Sequence, residues 1–184
     1  MRITFLLLSG LVFTACSDLS SDQQKLVETL DRQVHHHDLM RRISIIEDDF
    51  VEDGVSYKLR AYLSDDELIK IVGVTTSPHF ERDDYFYFNH DGDLIFTGHL
   101  INDRDHHIAR EFKYYYKDGE VALPLHWEGE YDPKKPFPKE VFTPFQLNMD
   151  SLNNEEKSRL AFFMDKIQTE GFLIKAQNDN IVSE

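Results

Sequence analysis

The sequence predicts an α+β domain with an N-terminal helix, a long antiparallel β-meander of about six or seven strands, and a C-terminal helix. Apolar residues recur at helical spacing after residue 21 and again after residue 151. Between these segments, apolar and polar residues alternate with the two-residue period of strands, and Asp-Gly pairs interrupt the alternation. A run of strands between two helices is typical of an α+β arrangement.

The first helix is predicted from Ser21 to about His37. Ser21-Asp22-Gln23-Gln24 fits a capping box, in which a serine is followed three residues later by glutamine. Leu26, Leu30 and Val34 fall at i, i+4 and i+8, with Val27 beside them. These apolar residues form one stripe along the helix, which we expect to pack against the sheet.

Alternation at period two begins at Ile43 and is clearest over residues 55–63. Further strands are predicted at 68–76, 84–90, 93–101, 108–117 and 120–127. Three Asp-Gly pairs mark hairpin turns, because both central residues of a type I′ turn need positive φ. They are Asp53-Gly54, Asp91-Gly92 and Asp118-Gly119.

A two-residue turn at Asp118-Gly119 would fix the register of the last hairpin. It pairs Tyr114 with Leu123 and Phe112 with Leu125 on a core face. The opposite, wet face then carries Tyr115, Lys113, Glu111 and His126. We expect one buried core that holds Phe112, Tyr114, Leu123, Leu125, Leu160 and Phe163.

The residue pattern also indicates which strands lie at the edge of the sheet and which lie at its centre. Pro124 has no N–H to donate, which favours an edge position. Around Asp91-Gly92, Tyr87 pairs with Phe96 on one face and Phe88 pairs with Ile95 on the other. Apolar residues on both faces predict a central strand pair that is covered on both sides.

Four of the six prolines lie in residues 128–150, which we expect to form a long extended connection. Its predicted surface anchors are Phe137, Phe142 and Phe145. A second helix follows Asp150-Ser151, and one side of it carries Glu156, Leu160, Phe163 and Ile167. Gly171 is expected just past the end of this helix, and residues 172–176 could add a last short strand.

The residues after position 15 suit one domain, whose charge excludes one class of partner. Removing Arg2 from the 20 basic residues leaves 19 against 34 acidic residues, a formal net charge of −15. Nucleic acid is therefore not an expected partner, because its binding relies on neutralising phosphates. The acidic residues are spread in short clusters, either as solvated turns or as a face that meets a basic protein partner.

The most specific feature is the single cysteine of the chain, Cys16, at the end of a short apolar run. Arg2 supplies the charge of a signal-peptide n-region, and residues 3–12 form an apolar h-region too short to span a bilayer. The run Phe13-Thr14-Ala15-Cys16 resembles the lipobox of bacterial lipoprotein precursors, although Phe13 replaces the usual leucine.

The resemblance implies how the chain is processed and where it is placed. Residues 1–15 would be a signal peptide, residues 16–21 a lipidated tether, and residues 22–184 the domain. Cys16 would carry a diacylglycerol and an N-acyl chain such as palmitate. Ser17, rather than aspartate, follows the cysteine. By resemblance, this implies a lipid anchor in the outer membrane, with the domain facing the periplasm.

The histidines are the candidates for chemistry, and none completes a recognisable site. His35-His36-His37 cannot converge on one metal, because neighbouring helical residues point about 100° apart. The predicted registers pair three imidazoles with carboxylates, which is either the orienting half of a general base or an ordinary cross-strand pair. These pairs are His90 with Asp93, His99 with Asp84, and His126 with Glu111.

No serine, threonine or free cysteine lies at a spacing that would complete a nucleophile set, and there is no glycine-rich phosphate loop. We therefore predict no catalytic, cofactor-binding or metal-binding residues, and only Cys16 as a lipidation site. The expected function is a non-enzymatic binding or interaction role in the cell envelope. The alternatives are a periplasmic carrier of an apolar ligand, an immunity-type inhibitor of a basic toxin, and an envelope hydrolase using a strand histidine with a carboxylate.

Overall fold

The structure is a computed structural model that describes residues 19–39, 43–132, 143–144 and 149–167, the last from residue 154 on with side chains. It confirms the α+β fold: an N-terminal helix, an antiparallel meander of seven long strands with a short eighth, and a C-terminal helix. The elements are α1 Ser21–Leu39, β1 Ser44–Glu52, β2 Val55–Ser64, β3 Glu67–Thr76, β4 Phe80–Phe88, β5 Leu94–Asp103, β6 Ile108–Lys117, β7 Glu120–Glu130, β8 Thr143–Pro144 and α2 Met149–Ile167.

Helix α1 begins with a capping box one residue earlier than the sequence pattern indicated. The backbone N–H of Gln23 donates to Ser20 Oγ at 3.3 Å, and the N–H of Ser20 donates to Gln23 Oε1 at 2.9 Å. Ser20, not Ser21, is therefore the cap. The predicted stripe is confirmed, because Val27 and Leu30 are buried in an apolar cluster under the helix.

Hairpin turns lie at all three predicted Asp-Gly pairs, but Asp91 lacks the positive φ of a type I′ turn, and the loop there spans residues 89–93. One further turn was missed. Gly54, Gly92 and Gly119 all have positive φ. The β2–β3 turn uses Asp65 and Asp66, with φ of 49° and 71°. Aspartate adopts this left-handed conformation more readily than most residues. An Asp-Asp pair is nevertheless a weaker sequence signal for a turn than an Asp-Gly pair.

Three β-bulges interrupt the strand pairing at one end of the sheet. They lie at Ile69, Ile95 and Ala122, each on the strand that follows a turn. The bulge at Ala122 pairs Leu123 with Tyr115 and places Phe112 opposite His126. The predicted pairs of Leu123 with Tyr114 and Leu125 with Phe112 are therefore wrong, because one extra residue moves the following side chains to the other face.

Both faces of the sheet are covered by apolar clusters, so the single predicted core is wrong. The face that carries Phe86 and Phe88 packs against α2, and the face that carries Tyr87 packs against α1. Leu123 and Leu125 belong to the α1 face, whereas Leu160 and Phe163 belong to the α2 face. Phe112, Tyr114 and Tyr116 form a third cluster. Tyr115, predicted to be wet, is buried under α1.

Two predictions about the sheet centre and edge hold. Tyr87 pairs with Phe96 in the centre of the sheet, and both faces there are covered, although the Ile95 bulge pairs Phe88 with Leu94. Pro124 lies in β7, and among the described strands its outer side pairs only with the two-residue β8, at Trp127 and Glu128. Strand β1 forms the other edge.

Several predictions fall outside the described residues. These are the signal peptide over residues 1–15, Cys16, the anchors Phe137, Phe142 and Phe145, Gly171, and the short strand at 172–176. Helix α2 begins at Met149, before the expected Asp150-Ser151 boundary. Within the described part of the chain, neither helix combines the length and apolar character needed to cross a bilayer.

Candidate functional site

The predicted pairing of His99 with Asp84 is confirmed, and it lies at the centre of a buried ionic cluster. The two residues are register partners on β5 and β4. His99 Nδ1 lies 2.7 Å from Asp84 Oδ1, and their side chains are only 1% and 0% exposed. Both point to the α2 face, since Phe86, two residues from Asp84, belongs to the α2 cluster.

The second nitrogen of His99 contacts a carboxylate from α2. His99 Nε2 lies 2.5 Å from Glu156 Oε2, in an orientation that makes the contact an ion pair rather than a well-directed hydrogen bond. Glu156 is itself buried, with 6% of its surface exposed. The imidazole is therefore held between a sheet carboxylate and a helix carboxylate.

Two arginines complete the ionic cluster, which we define as Asp84, His99, Glu156, Arg82 and Arg159. Arg82 Nε donates to Asp84 Oδ1 at 2.7 Å, and its Nη2 lies 3.5 Å from Glu156 Oε1. Arg159 Nε donates to Asp84 Oδ2 at 2.7 Å. Both carboxylates thus receive charged donors from more than one residue, as buried charges require.

Two further residues extend the cluster at its margins. Arg82 Nη1 donates to Glu155 Oε1 at 3.0 Å, and Arg159 Nη2 donates to Thr75 Oγ1 at 2.6 Å. With His99 protonated, three cations then face the three carboxylates of Asp84, Glu155 and Glu156. The assembly is neutral, and the exposed Glu155 supplies the third negative charge at its margin.

Simple periodicity places the cluster residues of each element on one side of that element. Arg82 and Asp84 alternate along β4 and so share a face. Glu156, Arg159 and Phe163 fall at i, i+3 and i+7 on α2, and so also share a side. The ionic cluster therefore lies in the same interface between α2 and the sheet as the apolar contacts of Phe163.

The neighbouring charges decide the protonation of the cluster. Burial alone would lower the pKa of His99, but its contacts with Asp84 and Glu156 raise it above the ordinary value. Burial would likewise raise the pKa of Asp84, but the hydrogen bond from His99 and the charge of Arg82 hold it well below its usual range. The geometry therefore favours an imidazolium between two carboxylates.

This arrangement fastens α2 to the sheet and leaves no ring nitrogen facing a substrate. A general base must reach the proton it removes, directly or through one water. Both nitrogens of His99 already contact carboxylates, and the side chain is buried. The hydroxyl of Thr75 accepts a hydrogen bond from Arg159.

The other predicted histidine–carboxylate pairs are wrong. His90 Nδ1 lies 3.0 Å from Glu67 Oε2, on the neighbouring turn, rather than beside Asp93. The Ala122 bulge places His126 opposite Phe112, and Glu111 opposite Trp127. Among the residues that the structure describes, no three His, Cys, Asp or Glu side chains converge as a metal site.

Sequence reasoning found His99 and Asp84 but missed Glu156, Arg82 and Arg159 as their partners. Glu156 was placed on the apolar side of the second helix without a role. A carboxylate within an apolar stripe is the available signal, because it must meet a positive charge when buried. Nothing in the sequence identified the strand that supplies that charge.

A second polar feature lies on the α1 face, outside the apolar cluster under α1. Asp83 is half-buried and flanked across the sheet by Val74 and Leu100. Burial, with repulsion from Glu81 and Asp84, raises the pKa of Asp83 to about 6. Within the described chain, Asp83 has no hydrogen bond or ion pair.

Cys16 lies outside the described residues, so its predicted lipidation remains a prediction. Comparison with protein families, with curated proteins and with solved structures found no match for this chain.

Proposed function

We propose that the protein is a lipid-anchored lipoprotein of the bacterial outer membrane whose domain, facing the periplasm, binds a basic protein partner and catalyses no reaction. The observation that carries the proposal is Cys16, the only cysteine of the chain, after Phe13-Thr14-Ala15 at the end of a short apolar run. Ser17 supports sorting to the outer membrane.

The start of α1 supports a short tether between lipid and domain. The helix cap is Ser20, only four residues after Cys16. A chain of that length spans at most about 14 Å. The lipid would therefore keep the domain close to the membrane surface, where partners in the envelope can reach it.

The acidic surface supports binding to a basic partner. The chain carries a formal net charge of −14, and charged groups of one sign steer partners of the opposite sign. The engaged nitrogens of His99 favour a binding role over a hydrolase role. No described feature favours the apolar-ligand carrier over the protein-binding role.

The anchor is tested by expressing the full chain and a Cys16→Ser variant in cells that are fed labelled palmitate. We expect the parent to incorporate label and to sediment with outer membranes, and the variant to do neither. Ser17→Ala is the matched control, because it alters the next residue but keeps the thiol. A parent chain that carries no label would contradict the proposed anchor.

The binding role is tested separately with the full chain, purified from whichever fraction it occupies. Immobilised protein is mixed with envelope proteins at about 50 mM salt and washed at about 500 mM, where the Debye length is much shorter. We expect basic proteins to be retained at low salt and released at high salt. Equal retention of acidic and basic proteins would contradict the role.

A further inference from the structure

Strand β1 is a long edge of the described sheet, and no other described strand lies along its outer side. It has nine residues, Ser44–Glu52, and among the described strands it pairs only with β2. An edge of this kind presents unpaired N–H and C=O groups, to which an extended segment can add as a further strand.

The edge is held in a regular extended form before any partner arrives. Phe50 stacks on Tyr57 with ring centroids 4.9 Å apart, and Ile46 packs against the α2 cluster. Lys166 of α2 lies over the Phe50 ring and 3.5 Å from Glu52. A partner would therefore bind to a preformed strand. Only the partner segment would lose conformational entropy on binding.

The same strand exposes apolar side chains. The described residues include three large apolar side chains that are exposed, and two of them, Ile45 and Val51, lie on β1 at 50% and 72% exposure. Both point to the α1 face, in one row with Glu47 and Asp49. The row thus reads apolar, acidic, acidic, apolar.

The acidic residues decide which segment can pair with this edge. Glu47 meets Arg60 at 2.8 Å, but Asp48 and Asp49 make no ion pair within the described chain. A second copy pairing antiparallel about Asp48 would set Asp48 against Asp48 and Glu47 against Asp49. Like charges directly opposite each other are destabilising, so this register of self-pairing is disfavoured.

We propose that β1 binds an extended segment of a partner protein that reads apolar-x-basic-x-basic-x-apolar, by adding it to the sheet as an outer strand. Its basic residues would lie beside Glu47 and Asp49, and its apolar residues beside Ile45 and Val51. This inference rests on the proposed binding role and assigns the surface and the partner chemistry to it.

The test measures binding of a fluorescent peptide, Val-Thr-Lys-Thr-Lys-Thr-Val, to the purified full chain by anisotropy. We expect saturable binding that protects the amides of residues 45–51 from hydrogen exchange. Asp49→Lys should weaken binding by about fivefold or more, since it turns an attractive cross-strand pair into a repulsive one. Asp91→Lys, the same charge change in the exposed β4–β5 loop, should leave binding within about twofold.

Two control peptides separate strand addition from general charge attraction. Replacing both lysines by glutamate should abolish binding, and moving the lysines next to each other should weaken it by about fivefold. Circular dichroism confirms that both protein variants are folded. Equal binding of the two lysine peptides, or equal loss in Asp49→Lys and Asp91→Lys, would overturn the proposal.

The remaining occupants of the edge give distinct results, and each would overturn the proposal. If residues 168–184 cover β1, the full chain will not bind the peptide until they are removed. If a second copy covers it, sedimentation will show a dimer that Asp49→Lys alters. Failure of peptide binding while basic envelope proteins are still retained would reject this edge and leave the binding role standing.

Discussion

Asp83 shows how one half-buried acid acts on the stability of the whole domain. Val74 and Leu100 are its neighbours across the sheet, and burial raises the pKa of its carboxyl to about 6. In the unfolded chain aspartate ionises near pH 4. The folded form therefore holds its proton more tightly, and the stability gained this way is present below about pH 4 and lost as pH rises through 6.

Asp83→Asn is accordingly expected to stabilise the domain at pH 7. The gain should be about 1 kcal/mol, less than the full pKa shift implies, because the side chain is partly exposed and screened by solvent. At pH 4 the gain should vanish, since the native aspartate is then protonated. Urea titrations at both pH values measure it, with the exposed Asp91→Asn as control. A loss of stability at pH 7 would contradict the expectation.

Gly119 is required by its backbone conformation rather than by space. Its φ is +78°, and an added Cβ would meet nothing within 4 Å. Gly119→Val should therefore cost more than about 1 kcal/mol through strain alone. Gly119→Asn should cost less, because asparagine adopts positive φ more readily. Urea unfolding of both variants provides the comparison, and equal losses would point to a cause other than φ.

At the scale of elements, sequence patterns predicted what local periodicity determines. The helices, the strands and the Asp-Gly turns follow from spacing within one segment. The β-bulge at Ala122 does not, because it depends on how two strands twist against each other. That one residue moved Leu123 to the α1 face, opposite Tyr115, and separated His126 from Glu111.

The ionic cluster was half predictable for the same reason. His99 and Asp84 pair through a register counted from the β4–β5 turn, because the Ile95 bulge offsets the extra residues of that turn. Glu156 and Arg159 come from α2, more than fifty residues later in the chain. Their meeting with β4 depends on the packing of α2 across the sheet, which no spacing within either segment encodes.

Helix α2 approaches the sheet closely over Gly73. A Cβ on this glycine would lie 2.6 Å from Cε2 and Cζ of Phe163. Gly73→Ala should therefore force the ring away and cost about 1–3 kcal/mol. Phe163→Ala alone should cost about 3–5 kcal/mol, because it empties a buried site.

The two changes together should cost little more than Phe163→Ala alone, since the added methyl then has room. Urea titration of the two single variants and the double variant measures this coupling between Gly73 and Phe163. Strictly additive losses would mean that the ring does not restrict the space above Gly73.

At the scale of the whole molecule, three sources of pH dependence all stabilise the fold as the pH falls from about 8 to 4. The pKa of His99 is raised, so the stability from its ion pairs is complete below about pH 6.5 and is lost as pH rises through its folded pKa. The stability that Asp83 contributes is likewise lost as the pH rises from about 4 to 6. The net charge of −14 also diminishes as carboxylates protonate, which reduces self-repulsion.

Two groups oppose this trend. Burial lowers the pKa of His37, so its contribution to stability falls as pH drops below about 6.5. His37 is less enclosed than His99, and we expect the His99 contribution to exceed it. The pKa of Asp84 is held below its usual range, so the stability from its ion pairs is present above about pH 4 and declines in more acidic solution.

The sum predicts maximal stability between about pH 4.5 and 6, on the acid side of neutrality. From pH 5.5 to pH 8 the free energy of unfolding should fall, measured by urea titration at half-unit steps. In the Asp83→Asn variant, the free energy of unfolding should fall less steeply with pH, because only His99 and the net charge then contribute to the slope. A parent curve that is flat or rising from pH 5.5 to 8 would contradict the charged imidazolium assigned to the interface between α2 and the sheet.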